Sequence, residues 1–144
     1  MKKLSIEEKE LLLKDLCARV PYKVKVRYNN EIYNIDYILP LYEEVKLDIP
    51  NNYTVGVSEI KPYLRSMRSM TEEELYEVQE ILGKGVEIHI DFISIIDSSI
   101  KSLSYLELKA LFDWLNKNMF DYLGLIGKGL ALKASRDMYK LKSF

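Results

Sequence analysis

Apolar positions Ile6, Leu13, Leu16, Cys17 and Val20 recur at helical spacing and predict an amphipathic helix near the start of the chain. Ser5, followed three residues later by Glu8, supplies a capping box in which each side chain satisfies a free backbone donor of the first turn. Pro21 ends this helix, because the residue before a proline is pushed out of the helical region. From Tyr22 the period falls to two. Val24, Val26 and Tyr28 alternate with Lys23, Lys25 and Arg27, and Asn29-Asn30 predicts a tight turn because asparagine tolerates positive φ. Tyr33, Ile35, Tyr37 and Leu39 repeat the alternation up to Pro40. Val45, Leu47 and Ile49 lead through Pro50-Asn51-Asn52 to Tyr53, Val55 and Val57. Residues 22–58 therefore predict a four-stranded antiparallel meander with one apolar face for the first helix to cover. The pattern leaves open whether that sheet curls into a small barrel.

Residues 59–70 form a connector, and Pro62 argues against a long helix through it. Thr71 and Glu74 then repeat the capping box, with Met70 and Leu75 in the staple positions and Leu75, Val78 and Leu82 as the buried stripe. Gly83 and Gly85 close the second helix. Val86, Ile88, Ile90 and Phe92 alternate with Glu87, His89 and Asp91, which predicts a strand; Ile93, Ile95 and Ile96 extend it into a second strand or a bulge. Ser104 and Glu107 open a third capped helix, with Leu103 and Leu108 as its staple. Leu108, Leu111, Phe112, Leu115 and Met119 line its core side, and Gly124 marks its left-handed exit. The fold class is α+β. A single domain of two lobes is expected: residues 1–68 carry the helix and meander, and residues 69–144 carry the helices, the short strand region and a C-terminal tail.

The 144 residues are 48% apolar and 30% charged, which suits a globular chain with a substantial core. The formal net charge is −1. Residues 1–70 hold 12 basic and 10 acidic side chains and residues 71–144 hold 9 and 12, so neither half announces a polyanionic partner. One cysteine excludes an intrachain disulfide and agrees with a reducing compartment. The N-terminal residues lack the uninterrupted apolar stretch of a signal peptide, and no stretch approaches a membrane span. The expectation is a cytoplasmic protein with no membrane partner.

Phe120 to Ala131 reads FDYLGLIGKGLA, which raises the question of a phosphate loop. Gly124 and Gly127 are separated by two intervening residues rather than four, Lys128 is followed by Gly129 rather than a hydroxyl residue, and a predicted helix precedes them. These glycines are therefore read as turn residues that bring Leu123, Leu125, Ile126, Leu130 and Leu132 back onto the core. Glu87, His89 and Asp91 share one face of the predicted strand, but His89 is the chain's one histidine and a facial metal triad needs a second. Cys17 sits on the predicted buried stripe, where a thiol behaves as a small hydrophobe, so a Cys17–His89 nucleophile–base pair is not expected. No catalytic, cofactor-binding or metal-binding residue is assigned, and no cofactor is expected.

Positive signals are fewer. Lys23, Lys25 and Arg27 share a strand face, Lys61, Tyr63, Arg65 and Arg68 mix basic and aromatic residues, and Lys128, Lys133, Arg136, Lys140 and Lys142 make the C-terminal region basic. The 11 tyrosines suit contact surfaces, because tyrosine offers large area at small entropic cost. The leading expectation is a non-catalytic protein-interaction protein that binds a protein partner or itself. A nucleic-acid-binding module that uses Lys61, Tyr63, Arg65 and Arg68 is the alternative, and a small hydrolase or metal enzyme comes third.

Three blocks, ELLLKDLCARVPYKVKV (10–26), IKPYLRSMRSMTEEE (60–74) and FDWLNKNMFDYLGLIGKGLALKA (112–134), resemble a set of short uncharacterised proteins of gut Bacteroidota and their phages or prophages. This chain departs from that pattern at Asn118 and Met119, where histidines are common, at Leu123, where arginine is common, and at Ser135-Arg136-Asp137, which replaces a Pro-Glu-Gly-like turn. The resemblance implies a bacterial or phage setting and brings no established activity with it.

Overall fold

A computed structural model describes residues 3–83, 86–88, 93–95, 104–135 and 137–139. Helix α1 runs Ile6–Arg19, with Ser5 and Glu8 closing the capping box on each other's backbone N–H. Four strands follow as predicted: β1 (Lys25–Tyr28), β2 (Glu31–Leu39), β3 (Glu44–Leu47) and β4 (Val55–Gly56). Asn29 and Asn30 both take positive φ, 50° and 63°, which is what a two-residue hairpin turn asks of its central residues. The predicted connector holds a further strand, β5 (Lys61–Leu64). Helix α2 is Glu72–Leu82, capped by Thr71–Glu74 and ended by Gly83 at φ 65°. Strands β6 (Val86–Ile88) and β7 (Ile93–Ile95) pair antiparallel. Helix α3 is Tyr105–Lys117, capped by Ser104–Glu107, and strand β8 is Leu132–Lys133. The chain is α+β.

Contacts divide the chain into two compact units. The first comprises residues 1–64 and 125–134. Its six-stranded sheet is open, in the order β4-β3-β2-β1-β5-β8; the pairs are antiparallel except β5–β8, which is parallel. One face is apolar: Val24, Val26, Ile35, Val45, Leu47 and Leu64 are buried, together with Leu12, Leu13 and Leu16 of α1 and Leu125 and Leu130 of the returning segment. A register shift between Ile35 and Tyr37 keeps Ile38 opposite Val45, so the apolar set stays on the inner face.

The second unit comprises residues 65–124 and 135–144. Val78 and Leu82 of α2 meet Leu111 and Leu115 of α3, with Met67 and Phe120 completing the cluster and Met70 and Leu75 packed against it as a staple.

Three expectations are corrected. The buried residues of α1 are Leu12, Leu13, Asp15, Leu16 and Arg19, so Leu13 and Leu16 are inside as expected, whereas Ile6 and Cys17 are exposed. Asp15 and Arg19, one helical turn apart, neutralise each other and take the inner face that Cys17 was expected to share. Helix α3 ends at Lys117, and the left-handed residue that turns the chain is Met119 at φ 61°; Gly124 at φ 71° makes a later turn. Phe112, expected in the core, is 42% exposed. Leu103, Ile90, Phe92 and Ile96, expected in a staple and in strands, lie outside the described residues.

Candidate functional site

The sheet face opposite the core brings together cations that lie far apart in the sequence. Arg27 of β1 is directly opposite Lys61 of β5 on one side and Ile32 of β2 on the other. Directly opposed residues of antiparallel strands point to the same face with Cβ atoms ~5 Å apart, and like charges so placed repel. All three side chains are exposed, Ile32 at 51%. Lys25, two residues before Arg27, extends the cationic row, and its Nζ lies 3.5 Å from Asn34 Oδ1. Continuing the β1–β5 register by one residue carries Tyr63 beside Lys25. Tyr37, 47% exposed, stands opposite Lys46 on β3.

Nearby carboxylates are engaged elsewhere. Asp48 accepts from the Asn34 backbone N–H at 3.0 Å, Glu31 accepts from the Tyr33 hydroxyl at 2.7 Å, and Glu44 accepts from Thr54 at 2.8 Å. The hydrogen bond to Glu31 is the main reason the Tyr33 phenol is pushed above its ordinary pKa. Among the described residues, no carboxylate pairs with Arg27 or Lys61, and Arg27 donates to Asn30 Oδ1 at 2.8 Å. Lys46 is buried on its own strand and donates to the Leu47 and Ile49 carbonyls, which fixes the loop after β3. Lys23 leaves the row, because its φ of 63° places it in a left-handed turn before β1 begins.

The four connector residues divide between the units. Lys61 and Tyr63 lie on β5 of the first; Arg65 and Arg68 belong to the second. Arg65 has a defined structural task. Its guanidinium donates twice to Glu74, at 2.7 Å each, and lies 4.2 Å over the Phe120 ring, which stacks on Trp114 at 5.6 Å. Its backbone brackets the turn after α3, donating to Met119 and accepting from Asp121. Burial pushes the Glu74 carboxyl up, but Arg65 and the Thr71 cap outweigh burial and hold it below the ordinary carboxylate pKa. Arg68 is exposed on a 3-10 turn, Met67–Ser69.

The glycine-rich segment is a run of turns: Lys128 and Leu130 donate to Leu125, and Gly129, at φ 76°, donates to Ile126. It seats buried Leu125, Leu130 and Ala131 in the first unit and leads into β8. Cys17 is exposed, and partial desolvation by its surroundings raises its thiol above the ordinary value, away from the thiolate that nucleophilic chemistry requires. Of the strand trio, Glu87 belongs to β6, while His89 and Asp91 lie outside the described residues, as do Arg136, Lys140 and Lys142 of the basic C-terminal region. Among the described residues, no group of three or more His, Cys, Asp and Glu side chains is placed to hold a metal ion, and no helix is long and apolar enough to cross a membrane.

The Arg27–Lys61 pair was hidden from sequence reading because its members lie in separate segments and meet through strand register alone. Neither protein-family profiles, curated proteins nor solved structures match this chain.

Proposed function

We propose that the chain is a non-catalytic protein-interaction protein that binds a protein partner through the outer face of the β5-β1-β2 strands. The row Lys61, Arg27 and Ile32 carries the reading. Two opposed cations beside a half-exposed isoleucine repel each other and leave apolar surface in water. A partner that supplies carboxylates and apolar cover relieves both costs. The tyrosines support the same reading. None of the 11 is fully buried, and Tyr22, Tyr37, Tyr42, Tyr53, Tyr76 and Tyr105 are exposed, so their area is available for contact. The resemblance to proteins of gut Bacteroidota and their phages or prophages supports a mobile-element origin and a cytoplasmic setting.

A photo-crosslinking residue in place of Ile32, with a second chain carrying it in place of exposed Glu10 on α1, tests the reading in an extract of the organism that encodes the chain. Discrete protein adducts at Ile32, absent at Glu10, are expected. Nucleic-acid adducts alone, or no adduct, overturn it.

A further inference from the structure

We propose that the outer-face row accepts an extended acidic peptide segment with carboxylates at alternate positions, an inference that rests on the protein-interaction reading above. Charge and spacing argue for it. Arg27 and Lys61 stand directly opposite across β1 and β5, and neither has a carboxylate partner among the described residues. One carboxylate bridging the two guanidinium and ammonium groups removes their mutual repulsion. Lys25 lies two residues along β1, about 7 Å away at the rise of an extended strand. That equals the separation of alternate side chains in an extended peptide running alongside, so a second carboxylate falls at Lys25 when the first sits between Arg27 and Lys61. The residues flanking the cations are Ile32 and Tyr63, which offer apolar contact on either side of the acidic pair.

The boundaries of the row favour a short acidic segment over a nucleic acid. Glu31, Asp36 and Asp48 are exposed around it. A polyphosphate chain continuing past the three cations meets these carboxylates, whereas a segment with two acidic side chains ends before them. Nucleic-acid affinity also grows with the number of phosphates neutralised, and three cations supply few.

The test uses the full chain and three labelled probes followed by fluorescence anisotropy: a short peptide with glutamates at alternate positions in a valine–threonine background, its glutamine counterpart, and an oligo-dT strand. The glutamate peptide is expected to bind at least about tenfold more tightly than the glutamine peptide. Arg27→Glu with Lys61→Glu abolishes that preference, and Arg27→Lys with Lys61→Arg retains it. Thermal unfolding of each variant establishes that it is folded. Equal binding of the two peptides, or an unchanged preference in the charge-reversed variant, overturns the inference. Tighter binding of oligo-dT, falling steeply between about 50 mM and about 300 mM salt, also overturns it, in favour of a nucleic acid. The Ile32 crosslink separates this failure from failure of the broader reading. Protein adducts that persist in the charge-reversed chain leave the interaction reading standing and remove the acidic segment; loss of all protein adducts in the native chain removes both.

Discussion

Both units contain an arginine held by a carboxylate through two hydrogen bonds, yet the two pairs are different physical objects. In the first unit Arg19 reaches Asp15 at 2.9 and 3.0 Å, with both side chains at 0% exposure. In the second Arg65 reaches Glu74 at 2.7 Å twice, with the side chains 22% and 16% exposed. The first pair has surrendered its water and lies wholly inside the core. The second keeps contact with solvent, shares Glu74 with a helix cap and lays Arg65 on an aromatic ring. One is a fixed component of a core; the other is an adjustable clamp at the start of a helix.

Removing one partner from the fully buried pair should have the largest effect. Asp15→Ala is expected to lose about 3–5 kcal/mol in urea unfolding, because it removes the carboxylate that accepts two hydrogen bonds from a buried guanidinium. The double change Asp15→Leu with Arg19→Met should recover most of that loss; if it does not, the pair contributes more than mutual neutralisation. In the second unit Glu74→Gln should cost about 1–3 kcal/mol, since it weakens charge-assisted hydrogen bonds and leaves a capping side chain of similar shape. The second pair should also show itself in the pH dependence of stability. The folded-state pKa of Glu74 is depressed, so its contribution is complete above the ordinary glutamate value and disappears as pH falls through the lowered one. Tm followed from about pH 6 to about pH 3 should therefore fall less steeply in Glu74→Gln than in the native chain. A smaller effect with the opposite sign is expected on the outer face. Lys61→Glu replaces repulsion toward Arg27 with attraction and should stabilise by about 0.2–1 kcal/mol, a gain measurable by denaturation and expected to come with loss of binding. The smallest concerns the backbone: Lys23→Gly at φ 63° should stabilise by roughly 0.5 kcal/mol, the relief of a left-handed residue offset in part by a looser unfolded chain.

The contrast also explains what was legible in the sequence. All three helix starts were readable, because a capping box is written within four residues and answers to local donors. The Asn29-Asn30 hairpin was readable for the same reason. Strand β5 was not: it has four residues, one of them Pro62, and it is defined by partners at Val26 and Leu132 that no local window contains. The buried face of α1 was right at Leu13 and Leu16 but wrong at Ile6 and Cys17, because a search for apolar residues passes over Asp15 and Arg19. The spacing of those two within a leucine-rich segment was the available signal. Met119 was rightly expected in the core, but its left-handed turn was missed because it contradicts local preference and is set by the bridge between Arg65 and Phe120. At the candidate site the cations were visible one by one, while their opposition needed the register.

One edge strand of the large sheet, β8, is made of residues that follow the 65–124 part of the second unit in sequence. During translation β1 to β5 emerge first, and the flank of β5 that will receive Leu132 and Lys133 waits while residues 65–131 are added. Leu125 and Leu130, which complete the interior, arrive equally late. A nascent chain halted before them exposes an unsealed edge and an incomplete interior, the conditions under which stalled polypeptides pair with one another. The closing segment thus ties completion of the sheet to residues made after the two helices of the second unit.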